Sequence, residues 1–150
     1  SSDIRRLLQE GHIEEANELL GRPYRLTGRV CPGEQRGRQL GFPTANLAVS
    51  PERLLPGNGI YVCRAHLAQG RFEAVTNVGT RPTFDHSDTT VEAFLLDFDA
   101  DIYGELLRLD FLTRLRSELR FASAEALVLQ MHEDVAQARR WLAAQAQRER

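Results

Sequence analysis

The sequence predicts a small antiparallel β-barrel, entered through a short helical lead-in and followed by a long C-terminal helix. Three observations carry that prediction. Residues 24–31, 59–67, 72–78, 90–98 and 105–114 are rich in Val, Ile, Leu, Phe and Tyr, repeat with a period of two, and are separated by Gly, Pro and Asp clusters, which reads as five or six strands. Gln69-Gly70 lies between two of these runs at a spacing suited to a tight hairpin, whereas parallel pairing needs long helical crossovers that the middle of the chain lacks. Helical periodicity is confined to the two ends, and a small sheet of this kind avoids bare edges by closing on itself.

Taken in order, Ser2 is placed to cap a first helix and Asp3 to sit in its first turn, ahead of Ile4, Leu7 and Leu8 on one face. Gly11 ends that turn. A second helical piece sets Ile13, Ala16, Leu19 and Leu20 against Glu14, Glu15 and Glu18, and Gly21 and Pro23 stop it. The apolar face of this lead-in needs a partner, either the barrel or another chain. The strands follow from Tyr24. After Phe121 the helical period returns: Ser123 is an N-cap, Glu125 lies in the first turn, and Leu127, Val128, Met131, Val135, Ala138 and Leu142 form a stripe expected to pack on the barrel. His132, Glu133, Asp134, Arg139 and Arg140 fall off the stripe and read as a solvated face, with Trp141 a packing anchor.

Composition bounds the function. A chain of 150 residues with 42% hydrophobic content suits one domain, and a formal net charge of −2 gives no electrostatic case for nucleic acid or an anionic membrane. A small-molecule partner is expected. Cys31 and Cys63 have no CxxC spacing and the four histidines are scattered, so the cysteines read as reduced thiols and no zinc site is legible. No apolar run marks secretion or membrane spanning, and a cytoplasmic location is the default expectation.

Three segments can carry chemistry. Gly28, Gly33, Gly37 and Gly41 recur with Arg29, Arg36 and Arg38 between them, so the backbone can turn sharply and offer N–H groups beside cations to a phosphate; the alternative is a set of ordinary turns. Pro43-Thr44-Ala45-Asn46 places a hydroxyl and a carboxamide two residues apart. In an extended segment both oxygens lie on one side and suit magnesium, or else they satisfy local backbone groups. Glu92, in a strand pattern, is expected on the face of Phe94 and Leu96, where a carboxylate is costly unless paired or used as a general base; otherwise it reaches solvent or an arginine at an edge. Asp97, Asp99 and Asp101 read as turn acids, and Asn77 to Phe84 as a loop that lines a pocket or closes a hairpin.

In order along the chain, GRVCPGEQRGRQLGFPTANL, LLPGNGIYVC, NVGTRPTF, VEAFLLDFDADIYG and FLTRLRSELRFASAEAL resemble the riboflavin kinase module of bacterial bifunctional riboflavin kinase/FAD synthetases, over residues 22 to 142. The resemblance implies a six-stranded antiparallel barrel and phosphorylation of the riboflavin 5′-hydroxyl by ATP, giving FMN and ADP. It implies that Thr44 and Asn46 hold Mg2+ and orient the phosphates, and that Glu92 is the catalytic base. Gly28, Gly33, Gly37, Arg38 and Gly41 would form the nucleotide cradle, with Phe42, Arg116 and Glu125 at the flavin. The adenylyltransferase half of that family uses an HxGH motif absent from these residues, so FAD synthesis is not expected. Residues 1–22 would then be the helical tail of that upstream module and 23–150 the kinase domain. A flavin-binding barrel without chemistry is the alternative.

Overall fold

The computed structural model describes residues 2–32, 41–82 and 87–149, without the side chains of Arg81, Pro82 and Ser87. Two short helices, α1 (Ser2–Gln9) and α2 (Ile13–Leu20), precede six strands, β1 (Tyr24–Cys31), β2 (Ala45–Leu47), β3 (Gly59–Leu67), β4 (Gly70–Pro82), β5 (Ser87–Leu95) and β6 (Leu106–Arg116). A 25-residue helix, α3 (Ala124–Arg148), ends the chain. The chain divides into two compact units after Glu118.

All strand pairs are antiparallel and the sheet closes in the order β1-β2-β5-β4-β3-β6, as the period-two runs require once every edge is paired. The interior of so small a barrel is narrow, and small and large side chains share it. Ala45, Ala65, Ala74 and Ala93 are buried beside Leu26, Tyr61, Leu107, Leu109 and Phe111. Tyr61 and Phe111 meet edge to face with ring centroids 5.3 Å apart.

The lead-in docks on the barrel. Leu7, Leu8, Ile13 and Ala16 belong to the same buried cluster as the barrel interior. Asn17 joins α2 to two strands at once: its Oδ1 accepts the Tyr24 N–H at 2.8 Å and its Nδ2 donates to the Phe111 carbonyl at 2.7 Å. The Gly57 N–H donates to the Leu8 carbonyl at 2.8 Å, and Thr113 Oγ1 hydrogen-bonds Glu14. Gly21 caps α2 in the left-handed conformation, its N–H reaching the Asn17 and Glu18 carbonyls, as its place in the sequence implies.

Several expectations need correction. Ser2 is already helical and is therefore not the cap of α1. The tight turn is Ala68-Gln69, one residue earlier than read, because Gly70 already pairs with Leu67. Strand β4 runs to Pro82 and β5 begins at Ser87. Strand β5 ends at Leu95 rather than at residue 98, and Asp97 takes a positive φ of 55°, which turns the chain out of the ladder. Phe98 then packs edge to face on Phe72, so the aromatic that resembled a strand residue is a lateral packing contact. In the second unit Ser123 Oγ accepts the Ala126 N–H at 3.1 Å, the expected cap. Asp134, read as solvated, is 4% exposed and accepts from Gln130 Nε2 at 3.0 Å.

On the outer wall of β6, Asp110 is buried under its ion partners. Arg25 Nε lies 3.1 Å from one carboxylate oxygen and His66 Nε2 3.1 Å from the other. Arg108 pairs more loosely at 3.5 Å, without hydrogen-bond geometry. These contacts tie β1 and β3 to β6 across its outer face. Asp110→Ala strands those donors and is expected to lower unfolding free energy by about 2 kcal/mol, measured by urea denaturation at pH 7. Tyr61, whose phenol donates to the Gly57 carbonyl, has its pKa raised to about 12 by burial, against the lowering influence of Arg114. The folded state therefore holds this proton more tightly than the unfolded one. Its stabilising contribution should be complete below about pH 10 and disappear as pH rises toward 12, seen as a late phenolate transition in ultraviolet titration that Tyr61→Phe removes.

Candidate functional site

A belt of directly opposed residues, one from each strand, runs across the barrel: Cys31 faces Asn46, Asn46 faces Glu92, Glu92 faces Asn77, Asn77 faces Ile60, and Ile60 faces Arg116. Directly opposed residues in antiparallel strands project to the same side with Cβ atoms about 5 Å apart. The side chains of Asn46, Glu92 and Asn77 therefore stand next to one another. Val91 and Ala93, the neighbours of Glu92, are 2% and 0% exposed, which turns Glu92 and Phe94 outward. The expectation that Leu96 shares their face fails, because Leu96 lies beyond the strand end, buried, with its N–H bonded to the Glu73 carbonyl at 2.8 Å.

The register brings Asn46, Glu92 and Arg116 of the candidate residues onto one belt. Thr44 and Asn46, both half-buried, alternate with the buried Ala45 and Leu47, as an extended segment requires. Phe42 is buried edge to face against Phe94, ring centroids 5.3 Å apart, two residues along β5 from Glu92. Gly41 has a φ of +90° and nothing within 4 Å of where a Cβ would stand, so conformation rather than crowding requires glycine there. Gly28 is the reverse case: a Cβ on it would run into the Ala48 carbonyl, so chain packing accounts for this glycine. Gly33, Gly37 and Arg38 lie outside the described residues.

Arg116 stands at the end of β6, half-buried, with Nη1 donating to the Ser117 carbonyl at 2.9 Å. Glu125 is exposed in the first turn of α3, in the second unit. Two features escaped the reading of the sequence. One is Asn77, whose pairing with Glu92 depends on a register that no local pattern reveals. The other is a cavity of about 470 Å3 beside Pro43 and Thr44, walled by Val30, Ala93, Leu95, Phe98 and Ile102, with Asp99, Asp101 and Tyr103 also lining it. Asp101 does behave as a turn acid, accepting the Tyr103 N–H at 3.0 Å, but the turn it builds closes over this cavity.

Among the described residues no group of three or more His, Cys, Asp or Glu side chains could hold a metal ion. The donor set at Thr44 and Asn46 is neutral oxygen. That chemistry fits a magnesium ion that retains waters and takes its anionic ligands from a bound phosphate. No described helix is long and apolar enough to cross a membrane.

Comparison with known proteins places these features in context. The flavokinase family model, described as riboflavin kinase, matches residues 20–142. The bifunctional riboflavin kinase/FMN adenylyltransferase of Pseudomonas fluorescens is 40% identical over 149 residues, 99% of this chain and 48% of the relative. The chain thus spans about half the length of the curated relatives it matches. Among solved structures, riboflavin kinase from Trypanosoma brucei aligns with a TM-score of 0.59 and 27% identity over 81% of this chain and 80% of that one. A Streptococcus pneumoniae structure described as a macrolide-efflux protein aligns with a TM-score of 0.90 and 36% identity, over 94% of this chain and 46% of that one.

The two free cysteines differ in a way that marks the site face. Cys31 is half-buried at one end of the belt, next to Asn46, whereas Cys63 is fully buried inside the barrel and burial pushes its thiol well above the usual range. One thiol is expected to react with an aromatic disulfide reagent in the native protein and the second only on unfolding, and Cys31→Ser should abolish the native-state reaction.

Proposed function

The chain belongs to the riboflavin kinase family, and from that premise we propose that it transfers the terminal phosphoryl group of ATP to the 5′-hydroxyl of riboflavin, giving FMN and ADP. The observation that carries this reading is the register that sets Glu92 between Asn46 and Asn77, with Thr44 immediately before the short strand that carries Asn46. Phosphoryl transfer asks a protein chiefly for alignment and for neutralisation of charge on the transferring group, together with a base for the attacking hydroxyl. Glu92 is the only carboxylate on the belt, and in this reading it accepts the hydroxyl proton as the oxygen attacks phosphorus.

Thr44 and Asn46 would hold magnesium through their neutral oxygens; when bound, the ion offsets charge on the phosphate oxygens. The cavity has Val30, Ala93, Leu95, Phe98 and Ile102 on part of its wall and Thr44 among its lining residues, which suits a nucleotide base whose phosphates lie toward Thr44. Gly41, and with it the glycine-rich segment 28–41 that includes Gly33, Gly37 and Arg38, is proposed to border the phosphates. Phe42, Arg116 and Glu125 are proposed on the flavin side. The adenylyltransferase activity in the relatives' names is not proposed for these residues, and residues 1–22 are proposed to connect to that activity's module. A cytoplasmic location goes with the ATP requirement.

Incubation with ATP, magnesium and riboflavin should yield FMN and ADP in equal amounts by chromatography; binding of flavin without FMN would instead identify a non-catalytic barrel. Glu92→Gln should lower kcat by 10²-fold or more with riboflavin and ATP affinity nearly unchanged. Thr44→Ala and Asn46→Ala should raise the magnesium concentration needed for half-maximal rate by about tenfold. Full activity in the Glu92 variant at saturating substrates would remove its assigned role.

A further inference from the structure

Strand β6 is irregular where it reaches the belt. Tyr61 of β3 opposes Arg114 but its neighbour Ile60 opposes Arg116, so Leu115 is the extra residue of a β-bulge. Without that insertion Ile60 would oppose Leu115, and Arg116 would turn to the other face. The residues on either side of the bulge converge on Gly59: a Cβ there would lie 2.6 Å from Arg114 Nε and 2.9 Å from the Arg116 carbonyl oxygen. Arg114 Nη2 reaches on to donate to the Asn58 carbonyl at 2.7 Å, and Asn58 Nδ2 in turn donates to Thr80 Oγ1 of β4 at 3.1 Å. The same arginine also lies against the turn between α1 and α2, where a Cβ on Gly11 would stand 2.8 Å from both its Cδ and its Nε. The lead-in grips the other end of this segment, with the Gly57 N–H on the Leu8 carbonyl and the Tyr61 phenol on the Gly57 carbonyl. Arg114 Nε is buried without a hydrogen-bond partner among the described residues, a cost that the bond to Asn58 must offset.

We propose that Arg114 is a positioning residue: wedged between Gly11 and Gly59, it fixes the bulge at Leu115 and so holds Arg116 on the belt, which makes the lead-in helices part of the machinery of the site. This rests on the riboflavin kinase reading, with Arg116 on the flavin side. Arg114 does not itself stand on the belt, because it opposes Tyr61, whose side chain is fully buried; it acts through Arg116. Backbone pairing alone separates a bulged strand from a slipped one only weakly. A side-chain anchor separates them well, because a slip of one residue displaces the guanidinium by about 3.3 Å, beyond hydrogen-bond reach of the Asn58 carbonyl. The planar guanidinium on its long stem can fill the space left by two glycines and still bond a carbonyl past them.

The test is a double-mutant cycle on the intact chain, read as KM and kcat for riboflavin and for ATP. Arg114→Met, which loses the bond to Asn58, should raise KM for riboflavin about tenfold, leave KM for ATP unchanged and lower kcat by less than about threefold. Arg114→Lys should recover part of the loss. Arg116→Met should raise KM for riboflavin at least as much, and Arg114→Met added to it should change little more, because the first residue acts through the second. The late Tyr61 phenolate transition, which burial causes, reports in each sample that this end of the barrel is folded. It should move to still higher pH in Arg114→Met, where the cation that opposes burial is gone. If Arg114→Met loses that transition altogether, the cycle is run with Arg114→Lys. Suppose the wild-type protein forms FMN. If the Arg114 variants then leave KM for riboflavin unchanged, raise both KM values alike, or add in full to Arg116→Met, or if Arg116→Met itself leaves KM for riboflavin unchanged, the positioning role falls and the kinase reading stands. A wild-type protein that forms no FMN overturns both.

Discussion

The site depends on the hydrogen-bonded register of one very short strand. Strand β2 is three residues long, and its recorded pairs are Val30 with Leu47, Cys31 with Asn46, Ala45 with Ala93 and Asn46 with Glu92. A slip of one residue in either pairing would turn Asn46 into the core and Ala45 or Leu47 out to solvent. The burial of Ala45 and Leu47 is what prevents that slip. A hydrophobic requirement inside the barrel thereby fixes the placement of polar groups outside it. The same logic holds on β5, where buried Val91 and Ala93 hold Glu92 on the outer face.

Packing on the inside leaves the outer face free to carry chemistry. Alanines on β2, β3, β4 and β5 let the strands close around a few large side chains, and α1 and α2 add four buried residues to the same core. The Asn17 side chain and the Gly57 N–H make that union specific by hydrogen-bonding the backbone of Tyr24, Phe111 and Leu8. Asp110 with Arg25 and His66 binds three strands together on the wall formed by β1, β6 and β3, whereas Glu92 sits on β5, opposite β6 in the strand order. The charged cluster that holds strands together and the carboxylate proposed for catalysis are therefore separated by the barrel itself.

Much of this was legible along the chain. The period-two runs located five of the six strands, and Gly21 and Ser123 terminated their helices as their residue types dictate. Thr44, Asn46 and Glu92 could be singled out because polar side chains set into an apolar alternation stand out locally. What was misread followed from interactions that local patterns do not contain. Phe98 looked like strand because it is apolar, yet it packs on Phe72 after the chain has already turned at Asp97. Asp134 looked solvated because it lies off the apolar stripe, yet it is buried with Gln130 as a partner.

By itself, the sequence determined the elements, their antiparallel pairing and the residue types able to bind magnesium and accept a proton, because these follow from periodicity and side-chain chemistry within a few neighbours. Only the tertiary structure decided that Glu92 stands between Asn46 and Asn77 and that a cavity opens beside Thr44. These are relations between residues distant in sequence, Asn77 and Glu92 being 15 positions apart and Asn46 and Glu92 46. They are set by closure of the barrel, which must satisfy every backbone hydrogen bond and fill one interior at the same time.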